Sequence, residues 1–395
     1  SLPARFVGRR AEMRRYQSDL LAGRLTRLLI TGAGGQGKTA LAGKLALDLQ
    51  KQGARIFAWS ARGENPWGNF EFELELALDE RNAKKYDHFR PRLTDTAERA
   101  SFLLGLLTEQ CERVVLFLDN LETIQDPDSH TLTEPTVAAW IRSARTTPKL
   151  VLLATSRWDF PEWGDEAFPL TRVNYGDFLR LAENFRLHVE RERLRQVFEA
   201  LGGNARGLAF FAAAVRDKNP AEEAAFLDAI AQTKAELQTN MAIAEIYAHL
   251  PAEAQTLLKR LPAYHEPVPE EGILKLGLDL GGTECHSALL AVSLLEAQWN
   301  GDWQCWEYQP APLVTDWLIE NREVESSLEW LNAAADYHLY LFENERDTLA
   351  QAVTAHHALR RAERHAEADR LTLDRIVGPM TRKGFYAALL TDWLP

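Results

Sequence analysis

The stretch "LLITGAGGQGKTALA", residues 28–42, decides the fold of this chain. It places Gly32, four further residues and then Gly37-Lys38-Thr39 between an apolar run and a segment with apolar residues at helical spacing. A strand, a glycine-rich turn and a helix in this order predict a loop that binds phosphate groups. The glycines allow successive backbone N–H groups to point into one concavity, and the start of the helix adds partial positive charge.

The residues of this loop predict a division of tasks around a bound nucleotide. We expect Lys38 to reach the β- and γ-phosphates and the Thr39 hydroxyl to bind Mg²⁺. The remaining loop positions are expected to surround the phosphates with their backbone: Gly32, Gly34, Gly35, Gln36, Gly37 and Ala40. The sequence therefore predicts ADP or ATP, together with Mg²⁺, as cofactors.

Further apolar runs predict the strands that accompany this loop. "RVVLFLDNLE" (113–122) leads five apolar residues into Asp119, as in a fully buried parallel strand. Because ligands gather at the carboxyl ends of such strands, we expect Asp119 to hold Mg²⁺, directly or through water. "ARIFAWSA" (54–61) and "KLVLLATSR" (149–157) complete an alternating βα pattern up to about residue 172. The predicted fold class is an α/β nucleotide-binding domain with a parallel sheet and flanking helices.

Two features of this region are open to more than one interpretation. Arg157, at the end of the third run, would report the presence of a γ-phosphate, or it is an ordinary surface arginine. "FEFELEL" (70–76) lies in an insertion over residues 64–89, and it fits a strand or the start of an amphipathic helix. No function is assigned to this insertion.

Composition and charge narrow the class of protein. The 395 residues are 46% hydrophobic and 26% charged, as in ordinary globular proteins. A net charge of −12 argues against binding to nucleic acid or to an anionic membrane. No apolar run approaches the roughly 20 residues of a membrane span, and we expect no signal peptide. Three cysteines without pairing or metal-ligand spacing are typical of buried thiols, so we expect a cytoplasmic protein without a membrane partner.

The order of motifs resembles that of the NB-ARC type of STAND NTPase, a family of signalling ATPases. The resemblance covers nearly the whole chain and runs through "RFVGRRAEM" (5–13), the glycine loop, "LFLDN", "LLATSR" and "LGGNARGLAFFAAA" (201–214). It implies that Phe6, Val7 and Arg9 border the adenine. It also implies a lid helix that meets the nucleotide through Gly203, Asn204 and Ala205.

The same resemblance implies four domains. They are a nucleotide-binding domain (1–175), a helical lid (176–240), a winged helix (241–325) and a helical segment (326–395) that begins a TPR-like repeat sensor. "IYAHLPAEAQTLLKRLP" and "ECHSALLAVSLLEAQ" (284–298) predict helices, and "QWNGDWQCWEY" predicts a hairpin that turns at Asn300-Gly301. Residues 241–320 contain three basic and twelve acidic residues, and such a surface repels a phosphate backbone. DNA is therefore not expected to be a partner.

Three positions depart from the family pattern. Asn120 stands where the family usually has a second acid, and an amide can orient water but cannot accept its proton, which predicts slow hydrolysis at most. Glu122 could replace that acid, or it is a solvent-facing loop residue. Ala205 replaces a proline of the lid motif. Ala311 replaces a histidine that reaches the β-phosphate of ADP, so we expect interdomain packing to hold the ADP-bound state.

The leading interpretation is a nucleotide-controlled switch in bacterial signalling or defence. ADP would hold a closed resting state, and exchange to ATP would favour an open form that self-associates. We expect an upstream effector domain and further downstream repeats in the full protein. The alternative is an ATPase of the AAA+ or origin-loader kind that acts on DNA. A small-molecule kinase is a third possibility, but no segment offers the catalytic base that it needs.

Overall fold

The computed structural model describes residues 8–61, 67–187, 191–216, 218–232, 235–300, 303–325 and 327–383. The chain divides into two compact units. The unit that we call the sheet unit consists of Ala11–Ala33, Leu41–Leu170 and His338–Pro395, and the helical unit consists of Ser1–Arg10, Gly34–Ala40 and Thr171–Tyr337. Residues of the glycine loop therefore belong to both units.

The described amino-terminal part of the chain contains six α-helices and five strands. They are α1 (Arg10–Leu21), β1 (Arg27–Thr31), α2 (Lys38–Gln50), β2 (Arg55–Ser60), α3 (Trp67–Leu76), α4 (Glu80–Phe89), α5 (Thr96–Gln110), β3 (Val114–Asp119), α6 (Pro135–Thr146), β4 (Leu150–Ser156) and β5 (Phe168–Pro169). The four strands that the apolar runs predict are confirmed. The strands are parallel in the order β2-β3-β4-β1-β5, and every residue of β3 and β4 is buried. The α/β fold class is thus confirmed, and β4 separates the strand of the glycine loop from the strand of Asp119.

The ambiguous "FEFELEL" segment forms helix α3. Its buried aromatic residues Trp67 and Phe70 lie one helical turn apart, with ring centroids separated by 5.2 Å. The Trp67 ring also meets Trp59 of β2 at 4.8 Å and Trp140 of α6 at 5.4 Å. This packing outweighs the two-residue alternation, because a helix brings both aromatic rings onto one face.

The helical unit contains nine complete α-helices, most of a tenth and a small sheet among its described residues. The complete helices and the strands are α7 (Tyr175–Asn184), α8 (Arg191–Ala200), α9 (Ala205–Ala214), α10 (Pro220–Gln232), α11 (Ala235–His249), α12 (Ala252–Arg260), β6 (Val268–Pro269), α13 (Glu270–Leu276), α14 (Gly282–Ala291), β7 (Leu295–Asn300), β8 (Cys305–Pro310) and α15 (Pro312–Glu320). Buried Phe178, Val197, Phe211 and Ile230 tie α7, α8, α9 and α10 into one hydrophobic cluster. This cluster fixes α9 with respect to its neighbouring helices.

The predicted hairpin is confirmed, but one predicted helix is too long. β7 and β8 pair antiparallel with Asn300 opposite Cys305, and β6 pairs with β8 on its other side. Gly301, which the sequence predicts in the turn, lies outside the described residues. The prediction of a helix over 284–298 is wrong in its second half, because α14 ends at Ala291 and β7 begins at Leu295. Ser293, with φ of +61°, turns the chain out of the helical conformation.

The carboxyl-terminal part is helical, as predicted. It contains α16 (Leu328–Tyr340), α17 (Leu349–Arg361), α18 (His365–Leu371) and α19 (Val377–Lys383), with π-helical turns at Leu341–Glu345 and Thr372–Ile376. His356 Nδ1 lies 3.1 Å from the carbonyl of Ala368 and so connects α17 to α18. Burial lowers the pKa of the neighbouring His357 to about 4, which keeps its ring neutral at neutral pH. Among the described residues, no helix is long and apolar enough to cross a membrane.

The three cysteines are free thiols. Cys285 is buried, as predicted, whereas Cys111 and Cys305 are half-buried. Burial raises the pKa of the Cys285 thiol, so this side chain stays protonated and packs as a small apolar group.

Candidate nucleotide-binding site

The glycine loop connects β1 to α2, as its sequence predicts. Gly35 and Gly37 have φ of +76° and +88°, in the left-handed region that favours glycine. Helix α2 begins at Lys38, directly after the loop. The strand, loop and helix therefore follow one another as in a phosphate-binding loop, with the first N–H groups of the helix next to the loop.

Lys38 and Thr39 provide the polar side chains at the start of α2. Lys38 is only 7% exposed, whereas Thr39 and Ala40 are half-buried, as are Gly32, Gly34, Gly35, Gln36 and Gly37. A nearly buried ammonium group is stabilised by anionic groups. The start of a helix also favours negative charge, so both features favour an anionic ligand. The backbone amides, ammonium and hydroxyl at this position fit a nucleoside polyphosphate.

In the sheet unit, Asp119, Asn120 and Thr155 are joined by hydrogen bonds at the carboxyl ends of β3 and β4. Asp119 is 8% exposed, and its Oδ1 accepts a hydrogen bond of 2.5 Å from the Thr155 hydroxyl. The same hydroxyl accepts a hydrogen bond of 3.0 Å from the backbone N–H of Asn120. Carboxylate oxygens are ligands that Mg²⁺ prefers, so Asp119 fits this ion by its chemistry. Thr155 fixes the orientation of the Asp119 carboxylate.

Thr155 is a candidate functional residue that the sequence analysis passed over. It is 1% exposed and lies on β4, the strand next to β3. The only signal in the sequence is that an otherwise apolar strand ends in two polar residues, Thr155 and Ser156. That signal gains a meaning only when the order of the strands is known.

Asn120 adopts a left-handed conformation immediately after β3. Its φ and ψ are 63° and 38°, and it precedes a short 3₁₀ turn over Leu121–Ile124. Asparagine tolerates this conformation better than most residues, which explains an amide at this position without any reference to catalysis. Glu122 lies in the 3₁₀ turn and is half-buried.

Arg157 follows β4, and its backbone and its side chain make different contacts. Its carbonyl accepts a hydrogen bond of 3.3 Å from the N–H of Gly32, which anchors the first residue of the glycine loop. Its side chain is exposed, and the guanidinium carbon lies 5.4 Å from the ring centroid of Trp158. The side chain thus rests on a surface aromatic ring.

Arg9 contacts the backbone of the glycine loop from within the helical unit. It is 4% exposed, and its Nη2 donates to the carbonyls of Gln36 (3.0 Å) and Thr171 (2.7 Å). Its backbone N–H donates to Asp177 Oδ2 at 3.1 Å. Arg9 therefore ties the loop to the segment that leads into α7. Phe6 and Val7, which are expected to border the adenine with it, lie outside the described residues.

The first turn of α9 contacts the glycine loop directly. Asn204 caps this helix, because its Oδ1 accepts hydrogen bonds from the N–H groups of Arg206 (3.0 Å) and Gly207 (2.9 Å). Its Nδ2 donates to the carbonyl of Gly34 at 2.8 Å, and the Arg206 N–H donates to the carbonyl of Gly35 at 3.2 Å. A Cβ at Gly35 would lie 2.6 Å from Asn204 Oδ1. Only glycine permits this close approach.

The other two predicted lid residues, Gly203 and Ala205, contact parts of the helical unit near the start of α9. Gly203 has φ of +66°, and its carbonyl accepts a hydrogen bond of 3.3 Å from Val173. Ala205, which stands where the family has a proline, is the first residue of α9 and packs against the hydrophobic cluster of the helical unit. Proline is favoured at this first position but is not required there, so alanine preserves the start of the helix.

Ala311 is fully buried at the start of α15, where the family has a histidine. Its N–H donates to the carbonyl of Leu294 at 2.8 Å. Its methyl group has no atom that could bind a phosphate.

Comparison with known proteins shows the fold. No family model and no curated protein matches the chain. A STAND protein with a tetratricopeptide repeat sensor from Pyrococcus horikoshii matches with a TM-score of 0.64 and 16% identity, over 97% of this chain and 52% of that one. This chain thus spans about half the length of the STAND protein. At this identity the similarity shows a shared P-loop ATPase fold.

Two further matches are weaker. A Walker-type ATPase of Pyrococcus abyssi has a TM-score of 0.38 at 14% identity, over 81% of this chain and 98% of that one. The ORC2 protein of Aeropyrum pernix has a TM-score of 0.33 at 15% identity, over 82% and 96%. Similarities this low do not choose between kinds of P-loop ATPase.

Proposed function

We propose that this chain is a nucleotide-dependent switch of the STAND type, which binds ADP or ATP with Mg²⁺ at the glycine loop. The proposal rests on one observation above all, the docking of α9 on that loop. Asn204 and Arg206 donate hydrogen bonds to two adjacent loop carbonyls. Any nucleotide that changes the conformation of the loop therefore acts on α9, and any movement of α9 acts on the nucleotide. Such reciprocity is what a switch requires.

The proposed site divides the work of binding among a few groups. Lys38 and the loop backbone would hold the phosphates, and Thr39 and Asp119 would hold the metal ion. When bound, Mg²⁺ neutralises charge on the phosphates. Asn120 cannot remove a proton from water, so slow turnover and long-lived nucleotide states are expected. Arg157 would have to leave the Trp158 ring in order to report a γ-phosphate.

The rest of the chain is proposed to serve regulation. Helices α11 to α14 followed by the β7–β8 hairpin support a winged helix over 241–325, with residues 176–240 as the lid. The helices from α16 onward would begin a repeat sensor, and the ligand of that sensor would favour exchange to ATP and self-association. We propose that this switch acts in bacterial signalling or defence in the cytoplasm.

The content of bound nucleotide tests the proposal. We expect protein that is purified without added nucleotide and then denatured to release about one equivalent of ADP, measured by ion-pair chromatography. An empty site with fast exchange and steady ATP turnover would contradict the switch. If DNA then increased that turnover, the alternative of an ATPase that acts on DNA would replace it.

Thr155→Val is expected to weaken ATP binding about tenfold when Mg²⁺ is present and to leave it unchanged in EDTA. Valine has the same shape but removes the hydroxyl that holds the Asp119 carboxylate, and the loss of one such hydrogen bond costs roughly 1–3 kcal/mol. Isothermal titration in the two buffers measures the effect. Thr155→Ser keeps the hydroxyl and should behave as the wild type, and an equal loss of affinity in EDTA would assign Thr155 a purely structural role.

A further inference from the structure

Arg206 makes a second contact in addition to its hydrogen bond to the glycine loop. Its guanidinium forms an ion pair with the Glu296 carboxylate on β7, and the two side chains are 26% and 19% exposed. The guanidinium carbon also lies 5.8 Å from the ring centroid of Phe210, one turn further along α9. One residue thus contacts the loop through its backbone and the hairpin through its side chain.

The position of Glu296 makes this ion pair distinctive. Residues 276–320 contain seven acidic residues and no lysine or arginine. The cation that pairs with Glu296 must therefore come from another part of the chain, and α9 supplies it. Because both side chains are largely shielded from solvent, their attraction is screened less than that of an exposed pair.

A second contact joins the same parts of the helical unit. Arg216 Nη2, just beyond the end of α9, donates a hydrogen bond of 2.6 Å to the carbonyl of Ala291 at the end of α14. Helix α9 is therefore attached near one end to β7 and just beyond its other end to the end of α14. The contact at the Arg206 end is the one that lies directly beside the loop.

We propose that the Arg206–Glu296 ion pair is the latch that holds α9 on the glycine loop and thereby sets the rate of ADP release. This inference rests on the proposed function. The latch gives the hairpin a connection to the nucleotide site that does not use the buried methyl group of Ala311. A displacement of β7 would withdraw Glu296 from the guanidinium, and the first turn of α9 would then lose its support on the loop.

Charge reversal tests the latch. We expect Arg206→Glu and Glu296→Arg each to increase the rate of release of a fluorescent ADP analogue about tenfold, because each places like charges together in a partly shielded position. The double variant restores opposite charges and is expected to return the rate to within about threefold of the wild type. Stopped-flow displacement by excess ADP measures all four rates.

The matched control is Lys84→Glu. Lys84 pairs with Glu80 on α4 at 2.6 Å, but both side chains are more than 60% exposed, so the same change of charge should leave the release rate unchanged. If Arg206→Glu does not fold, Glu296→Gln and Arg206→Gln replace the reversed pair and should each accelerate release several-fold. Melting temperatures without nucleotide identify any variant that is globally destabilised.

The outcomes separate the latch from the switch. Wild-type release rates in all variants would overturn the latch, and so would fast release in both single variants that the double variant does not restore. Retention of ADP by the wild-type protein is measured first and tests the switch alone. A wild type that releases ADP within the mixing time would overturn the proposed function, whatever the variants do.

Discussion

Replacement of Lys38 by alanine is expected to weaken ADP and ATP binding by a factor of about 100 to 1000. Lys38 is nearly buried at the start of α2, where its ammonium group adds to the positive end of the helix. Removal of one partner from a shielded, charged hydrogen bond costs about 2–5 kcal/mol, and a factor of 100 to 1000 corresponds to about 2.7–4.1 kcal/mol, within that range. Isothermal titration with protein that has been stripped of nucleotide measures the loss.

Lys44→Ala is the control on the same helix. Lys44 Nζ pairs with Asp48 at 2.6 Å, and Asp48 also accepts a hydrogen bond of 2.9 Å from Gln17, so this carboxylate keeps a partner when Lys44 is removed. The control should bind both nucleotides as the wild type does. If Lys38→Ala stayed within threefold of the wild type, the glycine loop would not be the nucleotide site.

The strands of the sheet are predictable from the sequence, but their order is not. Buried parallel strands are continuous apolar runs that end at polar or glycine residues, and β1, β3 and β4 all have this pattern. An apolar run does not indicate which strands are its neighbours. The contact of Thr155 with Asp119 depends on β4 being next to β3, so it could not be inferred from either run alone.

Local ambiguity explains where the secondary-structure prediction fails. The stretch "ALLAVSLLEAQ" is apolar enough for a helix or for a strand, and neither glycine nor proline marks its break. The break occurs at Ser293, and the pairing of β7 with β8 then fixes the strand. Such pairing joins residues that are distant along the chain, and sequence periodicity does not report it.

The sequence predicts those parts of the candidate site whose residues lie close together along the chain. The positions of the glycine loop follow from one continuous stretch of sequence, and Asp119 follows from the end of one strand. The role of Arg206 is not predictable from local sequence, because its partner Glu296 lies 90 positions further along the chain. Nothing in the local sequence of either residue indicates the pair, since an arginine and a glutamate on surface elements are common.

Asn204→Asp is expected to accelerate release of ADP about ten- to a hundredfold. Aspartate is as good a helix cap as asparagine, so Oδ1 would still accept from the start of α9. The second oxygen, however, would face the Gly34 carbonyl in place of the Nδ2 donor, and two acceptors at this distance repel each other. Asn204→Ser keeps a capping oxygen and removes the amide without placing a second acceptor beside the Gly34 carbonyl, so it should accelerate release only a few-fold. Displacement kinetics measure both rates.

Asn219→Asp isolates the effect of the new charge at a helix cap. Asn219 caps α10 with the same geometry, accepting from the N–H groups of Ala221 and Glu222 at 3.0 Å each, and it is exposed. This variant should release ADP at the wild-type rate. If Asn204→Asp also did so, the contact of α9 with the loop would not hold the nucleotide, and the switch would lose its structural basis. Release that is faster in Asn204→Asp than in Asn204→Ser would instead show that the contact of residue 204 with the Gly34 carbonyl controls the release of ADP.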